Sequence, residues 1–206
     1  GDYLRRPGSG MRFLYAPAPG IAFVGLSPEL LFERSGSMVK TAAIAGTRPI
    51  GKGEELLASS KDRLELEFVS DYIKERLEAL CAEVVSHPVM LAKTPTLCHL
   101  KHPFTAFYPK RDDRALLNAL HPTPATCGTP PIRAMERIAE YEPFDRGWYA
   151  APFGVISPEW TSLAVALRSA LIIDNVIHLF AGSGIVEGST PYDEWAELDG
   201  KIGHFL

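Results

Sequence analysis

The amino-acid sequence predicts an α+β fold, with antiparallel sheets and with helices packed on the outside. Short strand-like runs separated by turn-sized Gly and Pro segments are typical of antiparallel hairpins rather than of a parallel sheet. One long helical pattern and several shorter ones interrupt these strands, which favours a mixed class. The 206 residues, 46% of them hydrophobic, are sufficient for a sizeable core.

The first third of the chain is predicted to form two hairpins followed by a long helix. The four strands are predicted over residues 11–15, 20–25, 29–35 and 38–44. The Gly- and Pro-rich segment 46–53 predicts a loop. Ser60 begins a helical pattern that is predicted to extend to about Val84, and Ser59 with Asp62 resembles a capping box.

The remainder of the chain is predicted to alternate between strands and helices. Strands are predicted over 89–100, 148–156, 163–173 and 176–181, and helices over 111–120 and 131–141. The loop 121–131 contains four prolines. Asp174 and Asn175 are suited to a tight turn between the last two strands. Thr190 can cap the final helix, and Pro191 suits its first position.

Composition excludes several classes of protein. A net charge of −4 argues against non-specific nucleic-acid binding, which requires a basic footprint. The longest apolar run, near 162–173, is interrupted by Arg168 and is too short to span a bilayer. Three cysteines without a paired motif predict reduced thiols. We therefore expect a cytoplasmic protein with neither nucleic-acid nor membrane partners.

The final helix carries the most informative charge pattern in the chain. Glu194, Glu197 and Lys201 are spaced i, i+3 and i+7, so they share one helix face, and the glycine-rich segment 181–184 precedes them. A rough apolar stripe lies beside this face, formed by Trp195, Leu198 and Ile202. Two carboxylates and an ammonium facing a glycine loop suggest a site for a hard cation and an anion. A solvated charged face is the alternative.

Single charged residues at strand ends are further candidates. Glu29 lies at the mouth of a predicted strand, although a lone acid is most often solvated. Arg168 interrupts an apolar strand pattern, where a charge requires a protein or ligand partner unless it points outward. Tyr149 is a candidate neighbour of Arg168.

Two loops and one helical pair complete the candidates. Residues 45–48 could present backbone amides to an anion, or could form a plain turn. The proline-rich loop 121–131 precedes a helix start, where free N–H groups favour anions. Lys61 and Glu65 are spaced for an i, i+4 ion pair, a modest source of helix stability.

Taken in order, these motifs resemble those of the chorismate-utilising enzymes. The similar stretches are residues 23–31, 44–48, 60–65, 121–128, 146–149, 166–169, 181–185 and 194–201. Each motif is weak alone, but eight in order cover nearly the whole chain. The resemblance implies the chorismate-binding fold of anthranilate synthase component I, as a single domain over residues 1–206.

Within that family, the loop His-Pro-Thr-Pro-Ala-Thr-Cys-Gly at 121–128 resembles the isochorismate synthases. Salicylate synthases usually carry Thr where this chain has Ala125, and the lysine-nucleophile aminodeoxychorismate synthases carry Lys where it has Ala45. Isochorismate synthase, feeding menaquinone, siderophore or salicylate synthesis, is therefore the favoured function. An anthranilate synthase-like amination and a non-catalytic chorismate-binding fragment remain alternatives.

The resemblance implies a role for each candidate residue. Glu29 matches the general acid that protonates the departing C4 hydroxyl, which requires a raised pKa. Glu65 and Glu197 match Mg²⁺ ligands, and Glu194 matches a third acid that binds the metal through water or lies nearby. Residues implied in substrate binding are Thr47, His99, Tyr149, Arg168, Gly182, Gly184 and Lys201.

The chain also departs from the family pattern. The general-base lysine that activates water lies well upstream of the Ser-Pro-Glu motif in the family, and this chain has no lysine before Lys40. The family's N-terminal strands have no counterpart either. We therefore expect the chain to be N-terminally incomplete and to have little activity alone. Its exposed sheet edges would favour self-association or a completing N-terminal segment. Leu66 replaces the His that usually follows Glu65.

Overall fold

A computed structural model describes residues 10–93 and 97–203 as two antiparallel sheets with helices packed around them. The strands are β1 (Met11–Ala18), β2 (Ile21–Ser27), β3 (Leu30–Ser35), β4 (Met38–Pro49), β5 (Glu83–Ser86), β6 (Met90–Lys93), β7 (Leu97–Phe107), β8 (Pro152–Ile156), β9 (Trp160–Val165), β10 (Ser169–Ile173) and β11 (Val176–Phe180). The helices are α1 (Gly53–Ala58), α2 (Ser60–Leu80), α3 (Asp113–Leu120), α4 (Pro124–Cys127), α5 (Pro131–Tyr141) and α6 (Pro191–Ile202).

The strand pairing confirms the predicted α+β class. The smaller sheet has the order β1-β2-β10-β11, and the larger one has the order β5-β7-β4-β3-β9-β8, with β6 also paired to β7. The predicted hairpins β1–β2, β3–β4 and β10–β11 are all present and antiparallel. Local turn chemistry was sufficient to predict them because each hairpin joins neighbouring strands.

Helix α2 covers the larger sheet and forms the core with it. Its buried side chains include Leu66, Val69, Ile73 and Leu77, which recur at helical spacing and belong to the main apolar cluster. The predicted cap is confirmed, because the Ser59 hydroxyl accepts from the Asp62 amide at 3.2 Å.

The predicted C-terminal end of α2 was too late. The helix ends at Leu80, Cys81 adopts an extended backbone, and Val84 pairs with Ala106 in the larger sheet. Helix α5 has the predicted bounds, whereas α3 begins at Asp113, after the capping residue Asp112.

Three strand predictions differ from the structure in their bounds. Strand β4 continues to Pro49 across a bulge between Ala45 and Arg48, where a loop was expected. The strand predicted over 89–100 is instead the paired strands β6 and β7, with residues 94–96 outside the described part. The strand predicted from 148 begins at Pro152.

The run predicted as one strand over 163–173 crosses between the two sheets. Strand β9 ends at Val165 in the larger sheet, and β10 begins at Ser169 in the smaller one. Arg168 has a φ of +46°, which an L-residue rarely adopts, and its carbonyl accepts from the Leu26 amide at 3.2 Å. Arg168 therefore lies at the crossover rather than in the middle of a strand.

A buried ion pair ties the larger sheet to α3. The Arg34 guanidinium donates to both carboxylate oxygens of Asp113, at 2.5 and 2.7 Å. The Thr161 hydroxyl of β9 donates to the same carboxylate at 2.6 Å.

None of the helices within residues 10–93 and 97–203 is both long enough and apolar enough to cross a bilayer.

Candidate active site

A cavity of about 680 Å³ opens between α2, the loop 121–131, α5 and the segment preceding α6. The sequence-predicted residues that line it are Glu29, Thr47, Glu65, His99, Tyr149, Arg168, Gly182, Gly184, Glu197 and Lys201. These residues come from the larger sheet, two helices and four connecting segments. Glu194 is the predicted site residue that lies behind the cavity wall instead.

Glu29 lies in the turn after β2 and lines the cavity. The Ser27 hydroxyl accepts from the Glu29 backbone amide at 3.1 Å, which fixes the turn between β2 and β3. Burial raises the pKa of the Glu29 carboxyl to about 7, against the opposing influence of Lys201 and the neighbouring Thr123 hydroxyl. Within the described residues, the buried Thr123 Oγ1 makes no hydrogen bond of regular geometry. Glu29 can therefore hold a proton near neutral pH.

Glu65 enters the cavity from α2 and faces a second carboxylate from α6. Burial, with the nearby Glu197 carboxylate, raises the pKa of Glu65 to about 7, although Lys201 and a backbone amide oppose the shift. That amide belongs to Gly46, which donates to Glu65 Oε2 at 3.2 Å. Residues 45–48 therefore direct an amide toward an anion, as expected, but this anion is a carboxylate of the protein.

Lys201 links the Glu197 carboxylate to the glycine-rich segment 181–184. Its ammonium lies 2.7 Å from Glu197 Oε1 and donates to the Gly182 carbonyl, also at 2.7 Å. The face predicted to carry Glu197 and Lys201 does turn inward. The predicted apolar stripe does not form the buried side of the helix, since Trp195 is 67% exposed.

Glu194 pairs with Lys61, which the sequence analysis paired with Glu65. The Lys61 ammonium donates to Glu194 Oε1, and the Ser183 hydroxyl donates to Glu194 Oε2. Burial opposes ionisation, but the hydrogen bonds from Lys61, Ser183 and Ser189 lower the pKa of Glu194 overall. The predicted ion pair of Lys61 with Glu65 is wrong, because Lys61 reaches across to α6 instead.

The carboxylates define what the cavity can hold. In residues 10–93 and 97–203, no cluster of three or more His, Cys, Asp or Glu side chains is close enough to ligate a metal ion. Glu65 and Glu197 nevertheless offer hard oxygen donors whose mutual repulsion a cation would relieve. This donor set fits Mg²⁺, which binds few carboxylates and retains several waters.

Arg168 is oriented by His99, which is buried beneath the cavity. Arg168 Nη2 lies 3.3 Å from His99 Nε2, and His99 Nδ1 lies 3.1 Å from both the Gly46 carbonyl and Thr47 Oγ1. A guanidinium can only donate, so Nε2 must accept and Nδ1 must carry the ring proton. The imidazole thereby connects the Arg168 head group to the bulge of β4.

Tyr149 also lines the cavity. Its ring stacks on Phe180 with centroids 5.3 Å apart, and the Arg146 guanidinium lies 5.9 Å above it. Burial raises the pKa of Tyr149 to about 12, so its hydroxyl stays protonated and can donate to an anion. Tyr149 and Arg168 line the same cavity, and their predicted role in binding one carboxylate stays a prediction.

The two predicted glycines occupy positions where a side chain would collide with the site. A Cβ built at Gly182 would lie 2.7 Å from the Tyr149 hydroxyl, and one at Gly184 would lie 2.4 Å from Glu65 Oε1. Both distances are shorter than ordinary contacts. The glycine segment therefore keeps the space beside Glu65 and Tyr149 open.

Replacing Gly184 with Ala is expected to displace the Glu65 carboxylate and to weaken Mg²⁺ binding about tenfold, equivalent to about 1.4 kcal/mol. Calorimetric Mg²⁺ titration at pH 8 provides the measurement. Gly200→Ala on α6 is the matched control, because a Cβ there meets open space. Equal Mg²⁺ affinities in the two variants would contradict the steric argument.

The loop 121–131 contributes to the cavity wall through residues 124–129. It contains the single-turn helix α4, and its two cis peptide bonds are His121–Pro122 and Thr129–Pro130. Its predicted role in anion binding stays a prediction.

Sequence reasoning did not assign site roles to Lys61, Ser183 or Thr123. Lys61 carried a misleading local signal, since the i, i+4 spacing offered Glu65 as its partner. Ser183 lies within the recognised glycine motif, but nothing local indicates that its hydroxyl reaches Glu194.

The family assignment agrees with this geometry. The model of the chorismate binding enzyme family matches residues 3–206. The chain belongs to the chorismate binding enzymes. Isochorismate synthase 2 of Arabidopsis thaliana, described as chloroplastic, is 39% identical over 205 residues, covering 94% of this chain and 36% of the plant protein. Isochorismate synthase EntC of Escherichia coli K12 is 37% identical over 200 residues, covering 92% of this chain and 51% of EntC.

Two solved structures of related enzymes share the fold. The menaquinone-specific isochorismate synthase MenF from Escherichia coli superposes with a TM-score of 0.86 at 36% identity, covering 93% of this chain and 47% of MenF. Anthranilate synthase component I from Streptococcus pneumoniae superposes with a TM-score of 0.78 at 26% identity, covering 94% of this chain and 45% of that one. The chain thus spans about half or less of the length of these relatives.

Proposed function

We propose that this chain forms the chorismate-binding and acid-donating part of an Mg²⁺-dependent isochorismate synthase. One observation carries the proposal: a single cavity contains the protonatable Glu29, the Glu65 and Glu197 carboxylates, and Arg168. Chorismate is a dicarboxylate with a leaving hydroxyl, so its recognition calls for a cationic group, a metal and an acid. The identities of 37–39% to isochorismate synthases support this choice among the family's activities.

In the proposed reaction, water adds at C2 of chorismate while the C4 hydroxyl leaves. The protonated Glu29 carboxyl gives its proton to the departing oxygen, which leaves as water. Its pKa of about 7 allows the carboxyl to be both an available acid and a competent donor at neutral pH.

Substrate binding is assigned to charge complementarity. Mg²⁺, held by Glu65 and Glu197, would neutralise the substrate's ring carboxylate. The Arg168 guanidinium offers paired donors to the enolpyruvyl carboxylate, and the Tyr149 hydroxyl adds another. Glu194 stays engaged by Lys61 and supports the metal site from behind.

Water activation requires a base, and the family resemblance assigns it to a lysine upstream of the Ser-Pro-Glu motif; residues 1–28 contain no lysine. Lys201 lines the cavity, but its ammonium is bound to Glu197 and to the Gly182 carbonyl, which disfavours a role as the free base. We therefore expect the chain alone to bind chorismate with little turnover.

Calorimetric titration of the purified chain with chorismate tests the proposal. Binding is expected in the presence of Mg²⁺ and is expected to be much weaker with EDTA. Any product formed should be an isomer of chorismate, with the same mass but separable from it by chromatography, with or without ammonium salts. Formation of anthranilate with ammonium would favour the amination alternative, and Mg²⁺-independent binding would contradict the proposed metal site.

Replacing Glu65 with Gln is expected to stabilise the metal-free protein at pH 8 and to abolish stabilisation by Mg²⁺. The folded pKa of about 7 exceeds the unfolded value of 4.5, so this carboxyl lowers stability progressively from about pH 4.5 to 7, with no further loss above that range. The free energy of unfolding of Glu65→Gln at pH 8 should exceed that of wild type by about 2 kcal/mol. A shift of one pKa unit corresponds to roughly 1.4 kcal/mol, and the total is reduced because Glu65 is partly exposed.

Urea unfolding of wild type and Glu65→Gln at pH 5 and pH 8 measures this effect. The difference between the two proteins should be small at pH 5 and largest at pH 8. Glu67→Gln, which changes an exposed acid on the same helix, serves as the control. A Glu65→Gln variant less stable than wild type at pH 8 would contradict the predicted repulsion.

A further inference from the structure

Helix α6 carries two residues of the proposed site but has little apolar packing. Glu194 is its buried residue, at 6% exposure; Leu198 and Ile202 are half-buried, and Tyr192 and Trp195 are 84% and 67% exposed. Helices in proteins usually gain most of their stability from burying an apolar face. The position of α6 must therefore depend strongly on polar contacts.

The contacts of Glu194 provide one strong attachment. The Lys61 ammonium, in the first turn of α2, donates to one carboxylate oxygen, and the Ser183 hydroxyl donates to the other. Lys61 carries the full charge that compensates Glu194, since a hydroxyl contributes only a dipole. The electrostatic influence of Lys61 also extends to Glu197.

A second attachment lies two turns further along α6, where Lys201 donates to the Gly182 carbonyl at 2.7 Å. Glu197 lies between the two attachments on the same helix face. At a rise of about 1.5 Å per residue, Glu194 and Lys201 are separated by roughly 10 Å along the helix axis. Because Glu194 and Lys201 are both held, the position of the Glu197 carboxylate relative to Glu65 is fixed.

We propose that Lys61 is a positioning residue whose ion pair with Glu194 docks α6 and thereby places Glu197 and Lys201 in the cavity. The docking follows from contacts within the chain, and its catalytic consequence rests on the proposed function. Loss of the ammonium would leave a buried, uncompensated carboxylate, which favours undocking into water.

Hydrogen exchange measured by mass spectrometry on the ligand-free chain tests the docking directly. Lys61→Met is expected to accelerate exchange of the α6 amides at least tenfold, without comparable change in α5. Lys61→Arg should restore protection to within about twofold of wild type, because it restores the charge. Lys74→Met is the matched control, since Lys74 lies on the same helix in an exposed pair with Glu78.

The same variants are then titrated with chorismate in the presence of Mg²⁺. Lys61→Met should weaken binding at least tenfold, and Lys61→Arg should recover most of it. If exchange changes as expected but wild type binds no chorismate, the proposed function fails and the docking role stands. Unchanged α6 exchange in Lys61→Met would overturn the docking role, whatever the binding result.

A general loss of stability must be separated from loss of docking. Faster exchange throughout α2 and α5 in Lys61→Met would indicate a purely structural role and would also overturn the proposal. If that variant does not fold, Glu194→Gln provides the second test, because it removes the charge of the partner while retaining its size. The same local acceleration in α6 is expected, and its absence would contradict the proposal.

Discussion

Replacing Arg168 with Met is expected to weaken Mg²⁺-dependent chorismate binding about 100-fold, because a paired hydrogen bond between charged groups contributes roughly 1.5–3 kcal/mol. The guanidinium lines the cavity and is oriented through His99 by the bulge of β4. Met retains much of the length of the side chain but cannot donate. Isothermal titration with chorismate in saturating Mg²⁺ provides the measurement.

Two controls separate recognition from folding in this experiment. Arg133→Met changes an exposed arginine of α5 and should leave binding within about twofold, as expected for surface substitutions. Arg168→Lys restores the charge without the planar pair of donors and should recover binding only in part. Undiminished affinity in a folded Arg168→Met protein would exclude this residue from substrate recognition.

Replacing Asp113 with Asn is expected to lower the free energy of unfolding by about 3–5 kcal/mol, the range for breaking one side of a buried ion pair. The Arg34 side chain is 2% exposed and Asp113 is 11% exposed, so the arginine charge would remain buried without its counter-ion. The Arg34 guanidinium also lowers the pKa of Asp113, so its contribution persists at neutral pH and is lost as pH falls through the folded pKa.

Urea unfolding at pH 7 measures the change in the free energy of unfolding. An exposed ion pair provides the comparison with this buried one. The exposed pair of Arg137 and Glu140 also has a separation of 2.5 Å, but its side chains are 67% and 55% exposed. Glu140→Gln should therefore cost less than 1 kcal/mol, about the upper value for surface pairs. The double variant Arg34→Met with Asp113→Leu should recover much of the loss. Equal costs in the two single variants would show that burial does not control these pairs.

The parts of the fold that sequence analysis predicted correctly are those specified by neighbouring residues. The cap at Ser59, the bounds of α5 and the turn between β10 and β11 depend on side chains within a few positions of each other. The site residues were recognised differently, because ordered motifs resembled those of a known family. Neither the hairpins nor the helix patterns alone would have brought Glu29 and Glu197 to one cavity.

The errors arose where distant contacts override local pattern. The apolar run 163–173 has strand character throughout, and no Gly or Pro marks the bend at Arg168, whose positive φ is stabilised by the pairing of β2. Gly46 and Pro49 are typical loop residues, yet Gly46 lies in the bulge of β4, with a φ of +64°, and Pro49 pairs with Leu97 of β7. Lys61 had a local partner by spacing, but the ion pair with α6 is the one formed.

Because the chain crosses from one sheet to the other between β9 and β10, the distance between Arg168 and the carboxylates depends on how the two sheets are oriented. Arg168 lies at the joint between the two sheets, whereas Glu65 is carried by α2, which packs on the larger sheet. A small rotation of one sheet against the other would change the span between guanidinium and carboxylates without altering any lining side chain. Substitutions at the contact between the sheets would thereby change the distance between two negative groups of a ligand that the cavity can bind.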